Sequence, residues 1–219
     1  MTRGPALRLF TALASVVIAL VPGPAHARQL RAADPPSTSG PIDRAGSQCS
    51  DQQLKHDGQV IAKVESCIWV YQFDQTMETD LLATYGAVWV QNSVDPVNGW
   101  CATKIPTEIT LPPDAQRESF APSGSLKTAR SKKVTTKLTV DAAGAAIEDA
   151  RISNAYTLYR RSIKTTSLDG GRTTRFTWSG QESKKLAFAG GVQVSWNTLD
   201  APQFRAGLGM MNFVKARGC

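Results

Sequence analysis

Catalytic side chains are scarce in this 219-residue chain. Of its two histidines, His56 lies in the polar turn Lys55-His56-Asp57-Gly58, where adjacent side chains usually point in different directions. The chain contains no G-x-S-x-G nucleophile elbow, no H-E-x-x-H motif and no Gly-Lys-Ser phosphate loop. We therefore expect no catalytic residue that depends on histidine, no metal site and no cofactor.

Carboxylates are the remaining groups that could act chemically. Asp74, Glu78 and Asp80 share one segment and could bind Ca²⁺, but they lack the D-x-D-x-D-G spacing of a calcium loop. A polysaccharide hydrolase would need two carboxylates across a cleft. The candidates for such a pair are Asp95, Glu108, Asp149 and Glu182. A secreted carboxylate-dependent polysaccharide hydrolase is therefore the alternative to a binding function.

Positive charge is concentrated in the second half of the chain. Residues 28–120 hold 7 Lys and Arg against 12 Asp and Glu, a net charge of −5. Residues 121–219 hold 16 against 6, a net charge of +10. This imbalance favours binding to an anionic surface. The residues expected to bind it are Lys132, Lys133, Arg160, Arg161, Lys164, Arg172 and Arg175.

The anionic partner could be a cell-wall polymer, an acidic polysaccharide or lipid head groups. No zinc-finger, helix–turn–helix or RNA-recognition pattern accompanies the charge, which argues against nucleic acid. Two alternative roles for the charge stay open. The cations could keep strands soluble and discourage edge pairing, or the acidic half of the chain could dock on the basic half.

The first 27 residues have the three parts of a secretory signal peptide. Arg3 and Arg8 precede an uncharged apolar run over 9–21, and Ala25-His26-Ala27 supplies a cleavage motif. As a helix, the apolar run would span roughly 20 Å, less than the ~30 Å core of a bilayer. We therefore expect a secreted, extracellular protein without a transmembrane segment. Its oligomeric state stays open.

Four cysteines, at positions 49, 67, 101 and 219, fit an oxidising compartment. Because they lack the CxxC spacing of zinc sites, we expect two disulfides. Of the three possible pairings we favour Cys49 with Cys67 and Cys101 with Cys219. That choice fastens a short loop and ties the last residue to the body of the protein.

Turn residues recur about every ten positions without a long helical period, which predicts an all-β, antiparallel β-sandwich. The Pro-, Ser- and Gly-rich residues 28–47 predict a disordered arm, so that the domain would occupy 48–219. A loop or linker is expected over 112–132. It could divide the domain into two β-subdomains, at 48–111 and 133–219.

The strongest strand signal covers 59–73, which is apolar on both faces like a strand inside a sandwich. Strands over 85–91 and 100–111, joined by a turn at 95–99, would complete a three-stranded meander. Later strands are expected at 134–140, 155–164, 172–179, 184–189 and 192–197, with Gly190-Gly191 separating the last two. Most tryptophans should lie in the core, and Trp100 is expected to be the most exposed.

Together these features favour an exported, non-catalytic binding or structural protein. Its basic C-terminal half would engage an anionic extracellular or cell-envelope surface. A third interpretation is an inhibitor or partner of another exported protein, because a disulfide-bonded β-domain presents its loops rigidly.

Overall fold

The computed structural model describes residues 34–73, 84–127, 132–140, 150–158, 162–197, 203–215 and Cys219, together with the backbone of 14–17. Most of the predicted signal peptide therefore lies outside the described residues, as do residues 28–33 of the expected arm. The same holds for the calcium candidates Asp74, Glu78 and Asp80 and for Asp149, Arg160 and Arg161.

The described residues form strands and one short 3-10 helix, Asp169–Gly171. The strands are β1 Ala14–Val17, β2 Ser37–Ser39, β3 Ile42–His56, β4 Gln59–Phe73, β5 Thr84–Pro96, β6 Trp100–Thr110, β7 Ala115–Ala121, β8 Ser125–Lys127, β9 Lys132–Val140, β10 Ala150–Leu158, β11 Ser162–Leu168, β12 Thr173–Glu182, β13 Leu186–Trp196, β14 Arg205–Leu208 and β15 Asn212–Lys215. The predicted all-β class is confirmed.

These strands pair, always antiparallel, in three sheets. The seven-stranded sheet has the order β1-β14-β6-β12-β11-β8, with β15 also paired to β6. The five-stranded sheet has the order β3-β4-β5-β13-β7, and the three-stranded sheet has the order β2-β10-β9. In both larger sheets a strand that precedes residue 112 pairs with a strand that follows residue 132. These pairs are β6 with β12 and β5 with β13. The two expected subdomains therefore share their sheets.

The five-stranded sheet lies between the other two. Gln91 and Asn92 are adjacent on β5 and point to opposite faces. Asn92 Nδ2 donates to Thr107 Oγ1 of the seven-stranded sheet at 2.6 Å, whereas Gln91 Oε1 accepts from Asn154 Nδ2 of the three-stranded sheet at 2.5 Å. This central position explains why 59–73 is apolar on both faces.

The side chains of β4 and β5 supply both cores. Trp69 lies opposite Trp89 in the register, and Val70 lies opposite Val88, one residue further on. The tryptophans belong to a core cluster that includes Leu138 of the three-stranded sheet together with residues of the seven-stranded sheet. The cluster of the valines contains residues of the five-stranded and seven-stranded sheets and none of the three-stranded sheet. A sandwich with a third layer is the result.

Both disulfides have the favoured pairing, Cys49 with Cys67 and Cys101 with Cys219. Cys49 and Cys67 face each other in the β3–β4 register, so the first bridge crosses two neighbouring strands. The second bridge joins the C-terminal residue to β6. Disulfides of this kind indicate an oxidising environment.

Order begins earlier in the chain than expected. Residues 37–39 form β2 and residue 42 begins β3, although 28–47 was expected to be a disordered arm. Ile42 is buried at the start of β3, and the strand pairs with β4 along its whole length. Backbone pairing therefore orders a segment whose composition is poor in apolar residues.

The segment 112–132 is also more ordered than a linker. It contains β7, which pairs with β13, and β8, which pairs with β11. Ala115 and Ala121 are buried at the two ends of β7, and Phe120 packs against the core. Only one large apolar residue in β7 contributes to this packing, so the sequence signal is weak.

The expected three-stranded meander is wrong, because β6 joins the seven-stranded sheet rather than pairing with β5. The intervening turn has the expected positive φ at Asn98 and Gly99. Asn98 Nδ2 donates to the Val60 carbonyl at 2.9 Å, which fastens the turn to the β3–β4 hairpin. The turn thus carries the chain from one sheet to the other.

Trp100 is buried, with 4% of its surface exposed, which contradicts its expected exposure. It follows the anchored turn directly, and the ring of His56 covers it edge-on at a centroid distance of 5.3 Å. The other tryptophans are buried as expected. His56 thus has a packing contact with Trp100, and its Nε2 lies 3.3 Å from Asp57 Oδ2.

Candidate functional site: a basic ribbon

Four strands of the C-terminal half form two antiparallel pairs. β9 pairs with β10 in the three-stranded sheet, where Lys132 lies opposite Leu158. β8 pairs with β11 in the seven-stranded sheet, where Lys127 lies opposite Ser162. Only three residues separate Leu158 from Ser162, so their Cα atoms lie within about 14 Å of each other. We call β8, β9, β10 and β11 together the basic ribbon.

The basic ribbon carries cations and no carboxylate. Every Lys and Arg in these four strands is exposed, and none makes an ion pair with another described residue. They are Lys127, Lys132, Lys133, Lys137, Arg151 and Lys164. Because no acidic side chain on the ribbon neutralises them, this surface has a positive potential.

Strand alternation places three of these cations, Lys133, Lys137 and Arg151, on one face of the three-stranded sheet. Along β9, Thr136, Leu138 and Val140 are buried, whereas Lys133 and Lys137 are exposed on the opposite face. In the register Lys137 lies opposite Ser153, and Arg151 lies two residues further along the partner strand. Lys137 and Arg151 are therefore diagonal neighbours, close enough to contact one anionic group.

A buried hydrogen bond links β9 and β10 on the side of the sheet opposite this face. The hydroxyls of Thr136 and Tyr156 lie 2.8 Å apart across β9 and β10. Burial raises the pKa of Tyr156, and the hydrogen bond with Thr136 opposes that shift. The tyrosine thus stays neutral, and the bond holds the two strands in register beneath the lysines.

Three of the seven residues expected to bind an anion lie on the ribbon: Lys132, Lys133 and Lys164. Arg160 and Arg161 belong to the connection between β10 and β11, outside the described residues. Arg172 is exposed after the 3-10 helix, off the ribbon.

Arg175 is already engaged in the seven-stranded sheet. Its Nε and Nη2 donate to Glu108 Oε1 at 2.7 and 2.6 Å. The two residues face each other in the register of β6 and β12. Arg175 is therefore less available to an external anion than the lysines of the ribbon.

The sequence did not identify Lys127, Lys137 or Arg151 as part of this surface. Lys133 and Lys137 are four residues apart, and on a strand that even spacing puts both on one face. This signal was present in Lys132–Val140. Arg151 and Lys127 join the surface only through the pairing of strands, which the sequence does not give.

The described hydrolase candidates do not meet in one cleft. Glu108 is held by Arg175, and Glu182 accepts a hydrogen bond from the backbone N–H of Lys184 at 3.0 Å. Asp95 alone of these lines a groove on the five-stranded sheet. Within the described ranges, no group of three or more His, Cys, Asp or Glu is placed to hold a metal ion.

No protein-family model matches this chain, and no curated protein has a sequence significantly similar to it. In the part of the chain that the structure describes, no helix is long and apolar enough to cross a membrane.

Proposed function

We propose that this protein is an exported, non-catalytic binding protein whose basic ribbon engages an anionic polymer or lipid surface outside the cell or in its envelope. The observation that carries this proposal is the set of six exposed cations on four strands without a carboxylate among them. The disulfides and the predicted signal peptide support an extracellular setting.

The spacing of the cations favours an extended ligand. Lys133 and Lys137 lie about 14 Å apart along β9, since each residue of a strand advances the chain by about 3.4 Å. A single small anion cannot contact both, whereas a polymer or a membrane surface presents many anionic groups. Hydroxyls of Thr135, Ser153 and Thr157 are interspersed on the same face and can donate to phosphate or sulfate oxygens.

The energy expected of such a surface is moderate and depends on salt. An exposed cation contributes about 0.3–1 kcal/mol to binding an anion, so removal of three costs about 2 kcal/mol, or roughly thirtyfold in affinity. Because the Debye length falls from about 10 Å at 0.1 M salt to about 3 Å at 1 M, binding should weaken steeply as salt is added.

A matched pair of variants tests the proposal. One replaces Lys133, Lys137 and Arg151 with Gln. The control replaces three exposed lysines off the ribbon, Lys104, Lys184 and Lys215, and loses the same net charge. Binding to soluble polyphosphate and to phosphatidylglycerol vesicles is measured between 0.05 and about 0.5 M salt.

We expect the ribbon variant to bind about thirtyfold more weakly than the wild type, and the control to bind within about threefold of it. Binding to polyphosphate alone would assign the ribbon to a polymer, and binding to vesicles alone to a lipid surface. Equal losses in the two variants would show that net charge, rather than the ribbon, governs binding, and would refute the proposal.

A further inference from the structure

A groove of about 390 Å³ lies on the five-stranded sheet, and its lining contains no residue of the basic ribbon. It is formed where β3, β4 and β5 run side by side. Asp51, Glu65 and Ser93 stand opposite one another in one row across these strands, and Lys63 and Asp95 stand opposite each other in the next row. Side chains directly opposite on neighbouring strands share one face of a sheet, so all five point to the groove side.

The groove is hydrophilic and has an excess of negative charge. Its charged lining consists of three carboxylates, of Asp51, Glu65 and Asp95, and two ammonium groups, of Lys63 and Lys185. Although Lys63 stands directly opposite Asp95, these two groups form no ion pair within 4 Å. Neither Asp51 nor Asp95 makes a hydrogen bond or ion pair with any other described residue. Both carboxylates are thus available to a ligand.

Ser93 adds a hydroxyl to the groove. Its side chain lines the groove, and only 7% of the residue is exposed. In the described part of the chain its hydroxyl has no hydrogen-bond partner. Because Ser93 Oγ is not fully buried, it is accessible from the groove and can form a hydrogen bond with a ligand held there.

The size of the groove and the spread of its carboxylates define the class of ligand. The described carboxylates are too dispersed to form a metal-binding group. A groove of this volume instead accommodates a small organic molecule. A second pocket of about 280 Å³ shares Lys185 with the groove and extends towards Asn154, which leaves room for a ligand of several units.

We infer that this groove binds a hydrophilic, sugar-sized ligand that carries a protonated amine, such as an oligosaccharide of amino sugars. The carboxylates of Asp51 and Asp95 accept from ammonium groups of the ligand. Ser93 and the two lysines bond to hydroxyl groups of the ligand. None of these residues belongs to the basic ribbon, and occupation of the groove does not depend on the function proposed for the ribbon.

Two trisaccharides that differ in charge test the inference. Glucosamine trisaccharide carries protonated amines, and its fully N-acetylated counterpart does not. Each is titrated against the full chain by NMR at pH 6. Three variants are compared with the wild type: Asp51→Asn combined with Asp95→Asn in the groove, Asp114→Asn at an exposed turn outside it, and Lys133→Gln combined with Lys137→Gln on the ribbon.

We expect the charged trisaccharide to bind and the acetylated one to bind at least about fivefold more weakly. The groove variant should lose about fivefold in affinity for the charged probe, while the other two variants keep wild-type affinity. Equal affinity for the two sugars, no saturable binding of the charged sugar, or an equal loss with Asp114→Asn would each overturn the inference. Displacement of the probe by calcium would assign the groove to a metal ion instead.

Discussion

Two neighbouring glycines test the packing on the two faces of the five-stranded sheet. Gly190 and Gly191 lie in the middle of β13 and face opposite sides of the sheet. A Cβ added to Gly190 would lie 2.8 Å from the ring of Phe176 in the seven-stranded sheet, and one added to Gly191 would collide with the ring of Trp89. Alanine at either position should therefore be overpacked, each against a different core.

The expected cost is about 1–3 kcal/mol of unfolding free energy for each substitution, because the ring has to shift in a closely packed core. In a protein of this size, 1 kcal/mol corresponds to a fall of about 2–4 °C in Tm. Urea denaturation and thermal melting of Gly190→Ala and Gly191→Ala measure the effect. Ala155→Ser, on the exposed face of β10, is the control.

The control should stay within about 0.5 kcal/mol of the wild type. If both glycine variants are as stable as the wild type, the backbone of β13 is not enclosed by Phe176 of the seven-stranded sheet on one side and Trp89 of the neighbouring strand β5 on the other, and the packing described for both faces is wrong. If only Gly191→Ala is destabilised, the contact with the seven-stranded sheet is the part in error.

Two further predictions concern the disulfides and alkaline stability. Removing the Cys101–Cys219 bridge, which spans 118 residues, should lower the free energy of unfolding by about 4.7 kcal/mol. Removing the Cys49–Cys67 bridge, which spans 18 residues, should lower it by about 3 kcal/mol. Urea denaturation of the two double-serine variants checks this order. Burial raises the pKa of Tyr71 to about 12, and a nearby arginine opposes the shift. The folded state holds this proton more tightly than the unfolded state does. The resulting contribution to the free energy of unfolding is therefore complete below pH 10 and is lost as pH rises towards 12. Tyr71→Phe should therefore flatten the fall in stability over that range, and an unchanged slope would contradict the assignment.

The sequence predicted the class of fold because the relevant signals are local. Alternating and two-sided apolar patterns mark single strands, and 59–73 was placed with the bounds of β4. Such strand patterns depend on residues that are near one another in the chain. The favoured pairing of the cysteines was confirmed, although spacing alone does not separate the three possible pairings.

The arrangement of sheets could not be predicted in the same way, because it depends on contacts between distant residues. The pair Gly190-Gly191 has the composition of a turn, yet it lies inside one continuous strand, where two aromatic rings press on the backbone. The Asn98-Gly99 turn has the composition of a hairpin, yet it connects two different sheets. In both cases packing against other layers overrides the local signal.

The candidate site was predicted in part for the same reason. Charge counts predicted an anion-binding surface in the C-terminal half, and three of its predicted residues, Lys132, Lys133 and Lys164, lie on strands of the ribbon. Counts give no information on register, which adds Arg151 to this surface, or on pairing, which engages Arg175 with Glu108.

Footprinting of lysines with an amine-reactive reagent tests the proposed function most directly. The protein is labelled with and without bound polyphosphate, at low salt, and each lysine is quantified by mass spectrometry. We expect protection of the five ribbon lysines and unchanged labelling off the ribbon. The protected set is Lys127, Lys132, Lys133, Lys137 and Lys164, and the reference set is Lys104, Lys184 and Lys215. Equal protection of the two sets, or protection of the reference set alone, would contradict the proposal that the basic ribbon is the binding surface.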